Sequence, residues 1–248
     1  KGRFYRQKAQ EVLEDKFNCT TVYSHTDSVY VCLSEDISIE ESHLLGNQMA
    51  QCVTEAINVP SIQLEYENTY RPLLVVKKGQ SAGMFYEPNE SPKKVIKGLK
   101  SMRSDTIPVA KNLQEKVIDC ILKDTNTTEL KRMVTDEYQR IARGDVSLQE
   151  ITVRKKLTRE IFEYKSKNLA HVVVAHQMMD AGQVVQTGDF IEYIITEGAG
   201  AKYKRAVIPS KYVNPDYHMY ANDALKSIQQ IINEPWVMNI SRKRKRYK

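Results

Sequence analysis

The stretch Val22-Tyr23-Ser24-His25-Thr26-Asp27-Ser28-Val29-Tyr30-Val31 constrains the fold most, because strand-forming residues flank a short polar core on both sides. Val, Tyr and Cys around a few turn formers predict two strands joined tightly, a β-hairpin. A single carboxylate on a stiff hairpin tip suits a divalent cation, since Mg²⁺ takes one or two carboxylates and completes its shell with substrate phosphates. An aspartate in a tight turn also commonly does no more than bond its own backbone. Asp27 carries both readings on its own.

The chain's 248 residues allow one large domain or two smaller ones. No apolar run reaches the roughly 18 residues that a membrane span needs, and the start, Lys1-Gly2-Arg3-Phe4-Tyr5-Arg6, leads into no signal-type apolar segment. The cysteines Cys19, Cys32, Cys52 and Cys120 are widely spaced, which argues against a zinc or iron–sulfur site and fits reduced thiols inside a cell. The net charge of +6 resides at the end of the chain, in Arg242, Lys243, Arg244, Lys245, Arg246 and Lys248; the other 31 basic residues balance 31 acids. Only local clusters can therefore argue for phosphate contact. The terminal run reads as a disordered tail, a nuclear localisation signal or a loose nucleic-acid contact.

Helical spacing covers residues 2–16, with Phe4, Ala9, Val12, Leu13 and Phe17 on one face. Ser38-x-x-Glu41 is a capping box opening a second helix, whose stripe runs through Leu44, Leu45, Met49, Cys52, Val53 and Ile57 before Pro60. Ile62, Leu64 and Tyr66 alternate as a strand, and Leu73-Leu74-Val75-Val76 reads as a short buried strand entering Lys77-Lys78. The next cluster, residues 93–105, places five basic residues within eleven positions, among Val95, Ile96, Leu99 and Met102. Phosphate binding needs such charge and reach. A solvated lysine pair at a strand end and a solvated helix face are the plainer readings of the two clusters. From Thr106 onward the character is helical. Val109, Ala110, Leu113, Val117, Ile118 and Ile121 form one stripe, and a further helix is expected from about Thr128 to Arg143, closed by Gly144. A helix ending near Gly182, a turn at Gly188-Asp189 and a strand over 190–195 follow, then a terminal helix from Asp216 through Ile232.

Tyr23-Ser24-His25-Thr26-Asp27-Ser28-Val29 resembles the Tyr-Gly-Asp-Thr-Asp-Ser-Val motif C of family B DNA polymerases, with Ser24 for the family's Gly and His25 for its first Asp. The resemblance continues in order along the chain. Lys77-Lys78 through Ala82-Gly83 is similar to the Lys-Lys-Arg-Tyr-Ala-Gly turn, one residue longer and without the Tyr. Lys97-Gly98 with Arg103 and Asp105 matches the Lys-Gly-Leu…Arg-Arg-Asp segment at the palm–thumb junction. Residues 148–157, with Lys155, resemble the thumb's Ile-Thr-Lys-x-Leu, and Tyr164-Lys165, His171-Val172-Val173-Val174-Ala175 and Gly188-Asp189-Phe190-Ile191 resemble further thumb motifs.

The resemblance implies an α+β fold: a partial antiparallel-sheet palm over 1–104, a mainly helical thumb over 105–240, and the basic tail over 241–248. It implies Asp27 as a catalytic metal ligand shared by two Mg²⁺ ions, with Tyr23, His25, Thr26 and Ser28 shaping the hairpin. Lys77, Lys78, Lys97, Gly98, Arg103, Lys155 and His171 are the implied DNA contacts; a histidine beside an apolar run is also often a satisfied structural residue. The implied partners are primer–template DNA and deoxynucleoside triphosphates. A second metal-binding acid and the nucleotide-binding fingers are expected before Lys1, so that residues 1–248 alone are a half-site. The competing expectation is a polymerase homologue or accessory subunit that grips DNA without chemistry, and a weaker one is a protein-interaction module. A nuclear location follows from the basic run, and the lack of a paired-cysteine tail suggests a large DNA virus as source.

Overall fold

Helix α1 (Gly2–Phe17) buries Ala9 and Leu13, the apolar positions of its helical spacing, against Met49, Val53 and Ile57 of α2 (Ile39–Ile57). The computed structural model describes residues 2–25, 28–34, 36–99, 106–210 and 212–242. The chain divides into two units, Lys1–Gly98 and Leu99–Lys248.

In the first unit, β1 (Thr20–His25) pairs antiparallel with β2 (Ser28–Cys32), the expected hairpin. Val29 and Val31 of β2 reach the α1–α2 cluster. Ser38 and Glu41 close the capping box of α2 reciprocally: Glu41 N–H donates to Ser38 Oγ at 3.1 Å and Ser38 N–H to Glu41 Oε2 at 2.9 Å. Asn58 ends the helix in a left-handed conformation, φ +52°. A second sheet runs in the order β3 (Thr69–Lys77), β4 (Gln80–Tyr86), β5 (Lys93–Lys97), antiparallel throughout.

Three expectations change here. Ile62, Leu64 and Tyr66 form no strand: Leu64 N–H donates to Thr54 Oγ1 at 2.9 Å, and Ile62 and Leu64 pack on the α1–α2 cluster. Their alternation serves a helix surface instead of a ladder. The apolar run at 73–76 belongs to a longer strand that is half-buried, with Val75 38 % exposed. Residues 93–97 are strand and not helix, as β-branched Val95 and Ile96 favour.

In the second unit, α3 (Pro108–Leu122), α4 (Thr127–Arg143) and α7 (Tyr217–Ile228) enclose the main core with α6 (Ala170–Asp180). Leu148–Ile151 forms a one-turn helix, α5, before β6 (Val153–Lys156); β6, β7 (Phe190–Ile195) and β8 (Ala206–Val207) make a three-stranded antiparallel sheet. Gln114 Nε2 donates to the Ser227 carbonyl at 2.7 Å, stapling α3 to α7, and Ser227 Oγ lies 2.6 Å from the Ala224 carbonyl of its own helix and 3.1 Å from the Ala110 carbonyl of α3. The fully buried Tyr220 accepts the Ile195 amide at 2.6 Å, which fixes α7 against β7. Gly144 closes α4 at φ +84°, and Tyr217 lies where a Cβ would point, at 3.0 Å. The expected terminal helix is shorter. Asp216 caps it through the Met219 amide at 2.9 Å, and it stops at Ile228 before a separate α8 (Pro235–Arg242). Residues 243–248 of the basic run lie outside the described residues.

Candidate nucleic-acid interface

The hairpin register pairs Tyr23 with Tyr30, Ser24 with Val29 and His25 with Ser28, after an irregularity between Thr21 and Tyr23. Thr26 and Asp27 fall between the paired His25 and Ser28 and lie outside the described residues, as does Arg103. The described part of the hairpin is its two strands, with the Tyr23 and Tyr30 rings 5.2 Å apart.

The β3–β4 connection is tight. Lys77 pairs with Gln80, which leaves Lys78 and Gly79 (φ +74°) as the turn, and both lysines are exposed. Ser81, next on β4, pairs with Lys97 at the end of β5. Gly98 follows at φ +67°, so close to the turn that a Cβ there would stand 2.0 Å from the Gly79 carbonyl oxygen. Antiparallel pairing thus brings Lys77, Lys78, Lys97 and Gly98 to one end of the sheet. The hairpin meets that end, because Tyr23 Oη accepts the Gly79 amide at 2.7 Å.

Lys97 Nζ lies 5.9 Å from the centre of the Tyr70 ring, which contacts Tyr30 at 6.3 Å and Phe85 at 5.3 Å. Burial works against the Lys97 charge, but hydrogen bonding to the Tyr70 hydroxyl and the nearby Tyr70, Tyr30 and Glu67 groups hold its pKa above the ordinary lysine value. Burial pushes the Tyr30 phenol up, with Lys97 pulling against it. The site end therefore presents fixed positive charge. Tyr30, Tyr70 and Gly79 receive no role in the sequence reading, since their roles arise from cross-strand neighbours and not from local spacing.

In the second unit, Lys155 sits half-buried on β6 opposite Ile191. Its neighbours form an outward row: the Arg154 guanidinium stacks 4.1 Å from the Phe190 ring centre, with Lys156 Nζ at 5.9 Å. His171, expected as a phosphate donor, is only 4 % exposed and lies edge-on to Tyr164 at 5.6 Å. That burial gives it a packing role. Arg154 and Phe190 were not singled out in the sequence, though their alternation with buried Val153 and Ile191 is the readable signal.

Among the described residues no three His, Cys, Asp or Glu side chains gather as a metal site. The motif supplies one carboxylate, Asp27, flanked by the hydroxyl residues Thr26 and Ser28. That donor set fits one share of a Mg²⁺ shell that phosphates and a further acid would complete. No helix of the described residues is long and apolar enough to cross a membrane.

The family model for DNA polymerase family B matches residues 2–235. The chain is 29% identical over 258 residues to the DNA polymerase delta catalytic subunit of Glycine max, covering 97% of this chain and 23% of that protein. It is 28% identical over 221 residues to a DNA polymerase of Pyrococcus glycovorans, covering 88% of this chain and 27% of that protein. The structure of the family B DNA polymerase from the hyperthermophilic archaeon Pyrobaculum calidifontis aligns with a TM-score of 0.68 at 23% identity, over 93% of this chain and 29% of that one. The chain thus spans about a quarter of the length of the curated relatives it matches. With the fold shared and the family model covering nearly its whole length, the chain belongs to DNA polymerase family B.

Proposed function

We propose that residues 1–248 are the C-terminal palm and the thumb of a template-directed DNA polymerase, with the palm over 1–104 and the thumb over 105–240. The observation that carries this is the meeting of the motif C hairpin with Lys77, Lys78 and Lys97 at one end of a sheet, through Tyr23 and Gly79. Asp27 binds catalytic metal, and the three lysines hold backbone phosphates near the primer terminus as point charges. Lys155 and Arg103 are further contacts to the DNA backbone in this reading. Two Mg²⁺ ions, when bound, neutralise the charge that develops as the primer 3′-hydroxyl displaces pyrophosphate from the incoming deoxynucleoside triphosphate. The remaining acid and the nucleotide-binding fingers come from the rest of the polymerase, as the quarter-length coverage of the relatives supports. Residues 1–248 alone are therefore inactive in extension.

His25 stands where the family's motif has its first acid. A neutral imidazole there would leave the metals unrepelled, whereas an imidazolium would repel them. The same substitution favours a second reading, a homologue or accessory subunit that binds DNA without extending it. Primer extension by the complete protein separates the two. The polymerase reading expects extension by the wild type and a loss of more than about a hundredfold in Asp27→Asn, since even outer-shell partners of a metal cost roughly 10–100-fold. Equal activity in both proteins would take Asp27 out of the mechanism, and DNA binding without any wild-type extension would establish the second reading. A nuclear site of action, supported by the delta-type relatives and the basic run at 242–248, completes the proposal; the plant and archaeal relatives lend nothing to a viral source.

A further inference from the structure

Hairpin and lysine turn are separated by some fifty residues of sequence, yet one side chain joins them: Tyr23 Oη accepts the Gly79 amide at 2.7 Å. The Gly79 carbonyl faces Gly98, with room for no Cβ there because it would approach to 2.0 Å. Gly79 is thus tied through its amide and closely packed on Gly98 at its carbonyl. The Tyr23 ring packs on Tyr30 at 5.2 Å, Tyr30 on Tyr70 at 6.3 Å, and Tyr70 lies beneath Lys97 at 5.9 Å. From one tyrosine, the hydroxyl leads to Lys77 and Lys78 and the ring leads toward Lys97.

We propose that Tyr23 is a positioning residue that joins the metal-bearing hairpin and the lysine turn into one preorganised phosphate-binding unit. The inference rests on the reading that Lys77 and Lys78 hold DNA phosphates. Phenylalanine at position 23 keeps the ring stack and removes the hydroxyl, leaving the Gly79 amide to water. The turn then loses its tie to the hairpin, and its lysines must be ordered at each binding event, a cost that preorganisation removes.

The test is a cycle of primer–template dissociation constants in the complete polymerase: wild type, Tyr23→Phe, Lys77→Ala with Lys78→Ala, and all three changes together, at one salt concentration. Tyr23→Phe is expected to weaken binding roughly threefold to tenfold, the worth of one hydrogen bond, and to add nothing in the double-alanine background. Wild-type affinity in Tyr23→Phe, or the same weakening in both backgrounds, would overturn the proposal, the latter by showing a general loosening of the fold. A double-alanine protein that binds DNA like the wild type would remove the underlying reading instead, and the proposal with it. Gly98→Ala, which displaces Gly79 from its other side, provides an independent arm. It is expected to weaken binding and to combine with Tyr23→Phe less than additively; full additivity would count against a shared turn.

Discussion

Glu137 is only 7 % exposed, yet it keeps its charge, because Lys116 Nζ donates to it at 3.0 Å and Arg140 Nη2 at 2.7 Å. Burial alone would raise its pKa; the hydrogen bonds and charges of Arg140 and Lys116 more than offset that and hold the carboxyl below the usual range. A depressed folded-state pKa contributes stability that is present above the unfolded value and lost as pH falls through the folded one. Glu137→Gln should therefore lower unfolding free energy by about 1–3 kcal/mol at neutral pH, with the gap from wild type closing in acid below the carboxylate range. Denaturant titrations at the two pH values check this, and a gap independent of pH would contradict it. A second residue-scale consequence concerns His43. Ser42 Oγ spends its one proton on the Ile39 carbonyl at 2.6 Å, so Thr69 must donate to Ser42 at 2.8 Å and Tyr66 to Thr69 at 2.7 Å. The 2.6 Å contact between Tyr66 Oη and His43 Nδ1 then requires the histidine to donate. Nitrogen-resolved NMR in mildly alkaline solution should find the proton on Nδ1; a bare Nδ1 would show the chain running the other way.

The same chain of hydrogen bonds explains an element that the sequence pattern misassigned. Ile62, Leu64 and Tyr66 alternate as a strand would, but their partner is the surface of α2. Tyr66 packs directly over Gly46, where a Cβ would stand 2.2 Å from its ring. Gly46→Ala should destabilise the chain by about 1–3 kcal/mol through overpacking, despite alanine's better helix propensity; thermal melting that rises instead would mean the connection is loosely held. Elements with end signals were legible: the Ser38 capping box, the Gly144 close of α4 and the 190–195 strand all follow from local chemistry. Elements decided by a distant neighbour were not. The register that sets Val95 opposite Gly83 and Ile96 opposite Ala82 comes from β4, a partner that no local spacing names.

For the whole molecule, the motif C hairpin and the lysine clusters were visible as separate stretches, and the family could be named from them. Their assembly was not visible. It depends on the antiparallel register that sets Lys97 beside Ser81, on two glycines with positive φ in contact, and on a tyrosine hydroxyl crossing between two sheets. We propose that this assembly holds DNA by its phosphates. The most direct measurement is the salt dependence of primer–template affinity in the complete polymerase, for the wild type and for Lys77→Ala, Lys78→Ala and Lys97→Ala combined. Each lysine on a phosphate releases about one counterion, so the logarithmic salt slope is expected to shrink by about three; a slope unchanged by the three substitutions would rule out phosphate contact at these lysines.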